Sequence, residues 1–256
     1  MNLPVLMYHK VSENYSDALT VTTAELERQM LYVLTKGYQC VTTEQVLNFC
    51  KTGKPLPLKP ILITFDDAHV SFQNLALPIL KNAGINKVTL FVATDLIGTN
   101  HSDCGEIMSL EQIQNLDFNF VELGLHSHRH QNYKNLSIVD ARKDLQEHIS
   151  FPAKNRISFA PAFAYPYGGF PKNKIAMNYL KELFFENNIQ LAFRIGNRIN
   201  RLSKSTDLFT LNRIDIRGTD SFFKFKMKLK FGKKFSIFDF RFLIDIFKKK
   251  FIIRNS

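Results

Sequence analysis

The strongest constraint on the fold is a run of five apolar or β-branched residues, Ile61-Leu62-Ile63-Thr64-Phe65, that ends directly on two carboxylates, Asp66-Asp67. Short runs of this kind suit strands buried on both faces, as in a parallel sheet. Comparable runs recur at 3–8, 88–92, 121–125, 159–165, 190–195 and 211–216. Helical stretches at 23–35, 43–50, 71–83, 109–116, 137–149 and 172–187 alternate with them. Repeated strand–helix units with no glycine-rich phosphate loop predict an α/β barrel or a related parallel sheet. In such folds the functional groups sit at the carboxyl ends of the strands, where Asp66 and Asp67 fall.

A second strand run, 121–125, ends on His126, and His130 follows four residues later. On a helical turn, residues four apart share one face, so the two imidazoles are expected to converge on one metal ion. A carboxylate from elsewhere completes a His/His/Asp set that leaves positions for water and substrate. The other carboxylate of the adjacent pair is then free to take a proton from that water. Metal-assisted hydrolysis is the chemistry this constellation predicts. His101, Asp103 and Cys104 share a loop, but no ligand spacing supports a metal site there.

Three cysteines, with no CxxC pair, exclude a disulfide framework and a cysteine zinc site and favour a reducing compartment. The opening residues 1–9 read as a buried strand, without the basic, apolar and small-residue regions of a secretory signal. No uncharged apolar run reaches the length of a transmembrane helix. A cytoplasmic protein is therefore expected.

The net charge of +11 is unevenly placed. Residues 221–256 hold nine Lys and two Arg against Asp239 and Asp245, and 10 of the 24 Phe. This divides the chain into a nearly neutral body, 1–220, and a basic, Phe-rich extension, 221–256. Within the extension, 223–231 alternates apolar and basic residues, which suits a strand, while its neighbours and length suit a short helix ending at Gly232. The extension either caps the barrel with its apolar residues or lies on an anionic membrane surface, at the inner face of the membrane for a cytoplasmic protein. Its charge also fits nucleic acid, but the body has no recognition motif and nucleic-acid binding is not expected.

These residues carry a resemblance to the polysaccharide deacetylases, the NodB-homology group of carbohydrate esterases. Thr64-Phe65-Asp66-Asp67 resembles the first motif of that family, followed here by Ala68-His69 in place of the usual Gly. Glu122-Leu123-Gly124-Leu125-His126-Ser127-His128-Arg129-His130 resembles the second, and Phe163-Ala164-Tyr165-Pro166-Tyr167-Gly168 a variant of the third. Leu6-Met7-Tyr8-His9 also recurs in this subgroup, and the likeness extends over residues 3–218. The resemblance implies a distorted (β/α) barrel of about seven parallel strands. It also implies metal-dependent removal of an N-acetyl or other acyl group from an amino sugar, in a surface polysaccharide or its lipid-linked precursor. Position by position, Asp67, His126 and His130 become the metal ligands and Asp66 the general base. Tyr167 takes the place whose backbone N–H helps hold the oxyanion. One divalent ion is implied, zinc first, with cobalt, nickel, iron or manganese as alternatives. His9, His69, Tyr165 and Arg213 are the remaining candidates for holding substrate.

Two departures from the family pattern matter. Ala164 stands where an arginine normally contacts the catalytic aspartate, and Arg213 is the candidate replacement. The family's late histidine, a general acid, is missing, since the last histidine is His148. His9, His69 or His128, or the metal-bound water network, would then protonate the leaving amine. These departures keep two alternatives open: a catalytically impaired carbohydrate-binding or scaffold protein of the same fold, and an amidase or deformylase acting on another substrate.

Overall fold

Seven parallel strands close into a ring in the computed structural model, which describes residues 1–232. They are β1 (Val5–Tyr8), β2 (Pro60–Phe65), β3 (Val88–Val92), β4 (Val121–Leu125), β5 (Ala162–Ala164), β6 (Leu191–Ile195) and β7 (Leu211–Asp215). Neighbours in this order are hydrogen-bonded, and β7 returns to β1 through Ile214 opposite Leu6. Each runs parallel to its neighbour. This is the distorted (β/α) barrel that the sequence predicts, with no free edge within the ring.

All six residues of β2 are buried, and their parity decides what each touches. Leu62 packs inside the ring with Val5, Phe91 and Phe193. Ile61, Ile63 and Phe65 face outward onto Leu26, Met30 and Leu80 of the surrounding helices. Fully burying one such side chain contributes about 1.5–3 kcal/mol, so a one-residue slip of β2 is strongly disfavoured. Gly124 of β4 faces the interior, where a Cβ would come within 2.4 Å of the Phe91 ring. A glycine is thus needed at this position to admit that ring.

The helices are α1 (Thr23–Thr35), α2 (Thr43–Thr52), α3 (Leu77–Asn82), α4 (Leu110–Gln114), α5 (Ile138–Asn155), α6 (Lys174–Glu186) and α7 (Phe222–Phe231). A capping box at Thr42 and Gln45 starts α2. Its Val46, Leu47 and Cys50 pack with Leu62 and Leu191, and its Thr43 N–H donates to Glu122 Oε2 at 3.0 Å. Glu122 lies near the start of β4, so α2 plugs the amino end of the barrel and leaves the carboxyl end for the site.

Several boundaries differ from expectation. The stretch expected as a helix at 71–83 opens as a π-helix, Phe72–Ala76, and is α-helical only over Leu77–Asn82, and the strand expected at 3–8 is broken at Pro4. The strand expected at 159–165 is confined to Ala162–Ala164, because Pro161 has no N–H for the ladder. The helix expected to stop at 149 continues through Pro152 and ends at Arg156, in the left-handed conformation. In the extension, α7 takes the helical alternative and ends at Gly232. Phe225 and Leu229, four apart, enter the outer core. Lys228 is buried and donates to the Asp215 carbonyl and the Asp220 carboxylate. The basic stretch 233–256, on which most of the membrane expectation rests, lies outside the described residues.

Candidate active site

At the end of β2 the Asp66 N–H still donates to Tyr8 O, at 2.9 Å. The chain then turns through two left-handed residues, Asp67 (φ 70°) and Ala68 (φ 59°). Such conformations cost non-glycine residues of order 1–3 kcal/mol and gather at functional sites. Here the turn points both adjacent carboxylates into the mouth of the barrel, although successive strand residues would face opposite sides.

Asp66 is gripped by Arg213 of β7, whose two terminal nitrogens donate to its two oxygens at 2.5 and 2.7 Å. Both groups are buried. Arg213 therefore meets the catalytic-aspartate candidate that the missing arginine at Ala164 would have met. Its guanidinium is held against the carboxylate rather than offered to substrate. Burial pushes the Asp66 carboxyl up, but the Arg213 charge and the His126 imidazole hold it below the usual carboxylate range.

Asp67 Oδ1 lies 3.4 Å from His126 Nε2 and 3.2 Å from His130 Nε2. His126 donates from Nδ1 to the Ala164 carbonyl at 2.8 Å. That bond fixes the ring and leaves Nε2 to carry the lone pair, an outer contact typical of metal-binding histidines. Burial opposes charge on His126, but the Asp66 and Asp67 carboxylates outweigh it and push its pKa up. Burial likewise opposes charge on Asp67, and the two imidazoles outweigh it, holding that carboxyl well below its ordinary range.

The expected helical turn at 126–130 is not formed. Ser127 (φ 66°) and His130 (φ 53°) are left-handed, and the segment is an irregular loop. Asp144 of α5 organises it instead, accepting from the backbone N–H of His128 and Arg129, both at 3.1 Å, and from Ser127 Oγ at 3.2 Å. Tyr133 donates to the same carboxylate at 2.6 Å. The two imidazoles still converge, with ring centroids 5.0 Å apart.

One cavity holds most of the candidates: His9, Asp66, Asp67, His126, His130, Tyr167 and Arg213 all line it, with Asp215 and Arg217. His9 Nε2 is 4.0 Å from Asp66 Oδ2. Tyr167 (φ 57°) is 55% exposed at the rim, its ring 4.7 Å from that of His130 and its hydroxyl 3.3 Å from Asp103 Oδ2.

Two candidates lie elsewhere. Tyr165 shares the outward parity of Phe163 on β5, so it packs against Phe184 and donates its hydroxyl to Phe209 O. His69 bonds Ser71 through Nδ1 and braces the backbone of Gly105 and Ile107. His128, the third possible proton donor, bonds Thr94 Oγ1 and lies 3.6 Å from Asp95. Cys104, set aside in the sequence, enters the site: its sulfur, an Asp67 oxygen and a His130 nitrogen all lie within 4.8 Å of one another.

The donor set fits a divalent ion. Asp67 Oδ1 is buried with no hydrogen-bond partner, facing two imidazole nitrogens. Tetrahedral zinc with bonds of about 2.0–2.1 Å needs ligand atoms roughly 3.4 Å apart, close to the Asp67–His126 and Asp67–His130 separations, while the compact cluster within 4.8 Å is Asp67, Cys104 and His130.

Comparison with known proteins places this arrangement. Residues 53–186 match the model of the polysaccharide deacetylase family. The chain is 36% identical over 99 residues to YxkH of Bacillus subtilis (strain 168), which is 39% of this chain and 34% of that protein. It is 26% identical over 226 residues to the poly-beta-1,6-N-acetyl-D-glucosamine N-deacetylase of Staphylococcus epidermidis, covering 81% of this chain and 74% of that one. Among solved structures, the Streptococcus pyogenes deacetylase PplD in complex with acetate superposes with a TM-score of 0.74 at 21% identity, over 91% of this chain and 99% of that one. The motif-bearing strand ends fall inside the matched segment, and the barrel that presents them is the fold of those structures. The chain belongs to the polysaccharide deacetylase family.

Proposed function

We propose that this protein is a metal-dependent N-deacetylase that hydrolyses the N-acyl group of an amino sugar in a polysaccharide or its lipid-linked precursor. The observation that carries the reading is a buried, ionised Asp66 beside a separate Asp67–His126–His130 set, in one open cavity. Family membership and the amino-sugar deacetylases among its relatives support the substrate class.

Asp67, His126 and His130 would hold the ion, zinc being favoured by the imidazole-rich set. Bound there, the ion supplies Lewis-acid polarisation of the acyl carbonyl and a water of lowered pKa. Asp66, kept ionised by Arg213, accepts a proton as water attacks the carbonyl carbon. The backbone N–H of Tyr167 is our candidate donor to the oxygen that gains charge. When the C–N bond breaks, the amine nitrogen takes a proton from His9, the one of the three histidine alternatives that lines the cavity. The products are the free acid and an amino sugar.

Acetate release from N-acetylglucosamine oligomers, in the presence of zinc or cobalt, tests this. Asp66→Asn should lower turnover by about 10²–10⁴-fold, the usual worth of acid–base catalysis, with little change in metal binding. Equal turnover by Asp66→Asn and the parent protein removes Asp66 from the mechanism. Sugar binding without release of any acyl group by the parent protein would favour the impaired, carbohydrate-binding alternative.

We further take residues 221–256 as an extension that is anchored on the catalytic body by α7 and meets an anionic membrane from the cytoplasmic side with its remaining basic stretch. Because α7 contributes Phe225, Lys228 and Leu229 to the interior, removing the whole extension would disturb the barrel. Charge reversal at Lys248, Lys249 and Lys250 is the cleaner test, and it should abolish flotation with anionic liposomes. Unchanged flotation retires the membrane reading.

A further inference from the structure

Cys104 sits on a two-strand hairpin over residues 100–106, with Asn100 paired to Glu106 and His101 to Gly105. Its placement follows from the turn that carries Asp67. Met108 N–H donates to Ala68 O at 2.9 Å, and His69 forms a backbone bridge with Ile107. Gly105 (φ 79°) lies so close to the His69 ring that a Cβ would meet Nε2 at 3.0 Å. The residues immediately after Asp67 therefore register the hairpin and hold the thiol, 3% exposed, against the carboxylate.

A second observation points to a ligand. Asp67 is 5% exposed, and its Oδ1 faces the same space with no hydrogen-bond partner. His130, 8% exposed, adds its nitrogen to the cluster. Catalytic zinc sites commonly have three protein ligands and an open fourth position. Here the Cys104 sulfur lies within 4.8 Å of the Asp67 and His130 ligand atoms. A tetrahedral ion with a Zn–S bond of about 2.3 Å needs its sulfur roughly 3.6 Å from the other ligand atoms. From within 4.8 Å of the Asp67 and His130 ligand atoms, a movement of up to about 1.2 Å brings the sulfur to that separation from those two.

We propose that Cys104 is a fourth protein ligand of the metal, closing the resting site as Asp67, His126, His130 and Cys104. This rests on the metal-site reading above. Coordination converts the thiol to thiolate and releases its proton to solvent. A thiolate also biases the site towards zinc and cobalt over manganese and magnesium.

Cobalt-substituted full-length protein provides the test. Cobalt bound with one-to-one stoichiometry should show an intense near-ultraviolet thiolate-to-cobalt charge-transfer band. Cys104→Ser and Cys104→Ala should lose that band while still binding cobalt. Zinc affinity, measured by competition with a chromogenic chelator, should fall at least about 10-fold in both, since even outer contacts of a metal site are worth 10–100-fold. Bound cobalt without the band in the parent protein, or a band that persists in Cys104→Ser, overturns the role of Cys104 and leaves the three-ligand site standing. Failure of the parent protein to bind cobalt or zinc at all overturns both readings.

Discussion

Asp66 and Arg213 are both buried, and each is tolerable there because of the other. Breaking a buried pair from one side leaves an uncompensated charge, which typically costs 3–5 kcal/mol. Arg213→Met should therefore destabilise the protein by about that amount in urea unfolding at pH 7. It should also raise the Asp66 pKa, since the arginine charge is what holds it down, and shift the acid limb of acetate release upward. The sign follows from linkage: a carboxyl depressed in the folded state contributes stability above its unfolded pKa, near 3.9, and loses it as pH falls through the folded value. The double variant Asp66→Asn/Arg213→Met should recover part of the lost stability, because no buried carboxylate is then left unpaired. If the double variant is no more stable than Arg213→Met, the cost lies in lost arginine packing over Phe91. At this scale the sequence is readable where chemistry sits at strand ends, as at Asp66, Asp67 and His126. Tyr165 lies outside the cavity because strand parity, set by which face of β5 meets α6, overrides proximity to a motif. Cys104 had no local spacing to announce it, since its hairpin reaches the site only through contacts with Ala68 and His69.

Among the elements, the loop over residues 126–131 shows how spacing can point to the right convergence by the wrong geometry. The i,i+4 pattern suggests a helical turn, yet the same two imidazoles meet across a loop with two left-handed residues. The difference is invisible locally because the acceptor that replaces the helical hydrogen bonds, Asp144, comes from α5. Its carboxylate takes four donors and is 3% exposed. Asp144→Ala would leave two backbone N–H groups and the Tyr133 hydroxyl without their acceptor. Zinc affinity should then fall about 10–100-fold, as for other residues that orient metal ligands, and stability should fall by several kcal/mol, at about 1–3 kcal/mol per stranded donor. Asp144→Asn retains one accepting oxygen and should fall between Asp144→Ala and the parent. Chelator competition and urea unfolding, run on the same samples, separate the two effects. Metal affinity unchanged in Asp144→Ala would show that His130 is placed without this network.

Over the whole molecule, the barrel was legible because seven apolar runs repeat with helices between them, and its layers satisfy that pattern with few exceptions. One exception joins the site loop to the shell of helices: His148 of α5 is fully buried, with Nδ1 on Thr94 Oγ1 at 2.7 Å and Nε2 without a partner. Thr94 Oγ1 also bonds His128 Nδ1, so one hydroxyl links α5 to the loop between the metal-ligand candidates. Burial, with the nearby His128 and His126 adding to it, pushes His148 down to about 3. Below about pH 6.5 the unfolded chain binds a proton at this histidine that the folded protein refuses. Stability must then decline as pH falls from 6.5 towards 3, by up to about 1.4 kcal/mol per pH unit from this group alone. His148→Gln cannot titrate, so its unfolding free energy should change less steeply between pH 6.5 and pH 4.5, whatever its absolute value. Parallel urea titrations across that range read the difference in slope directly. Matching slopes would mean that His148 takes up its proton in the folded state, either on the unpartnered Nε2 or through a shift of α5 that admits water.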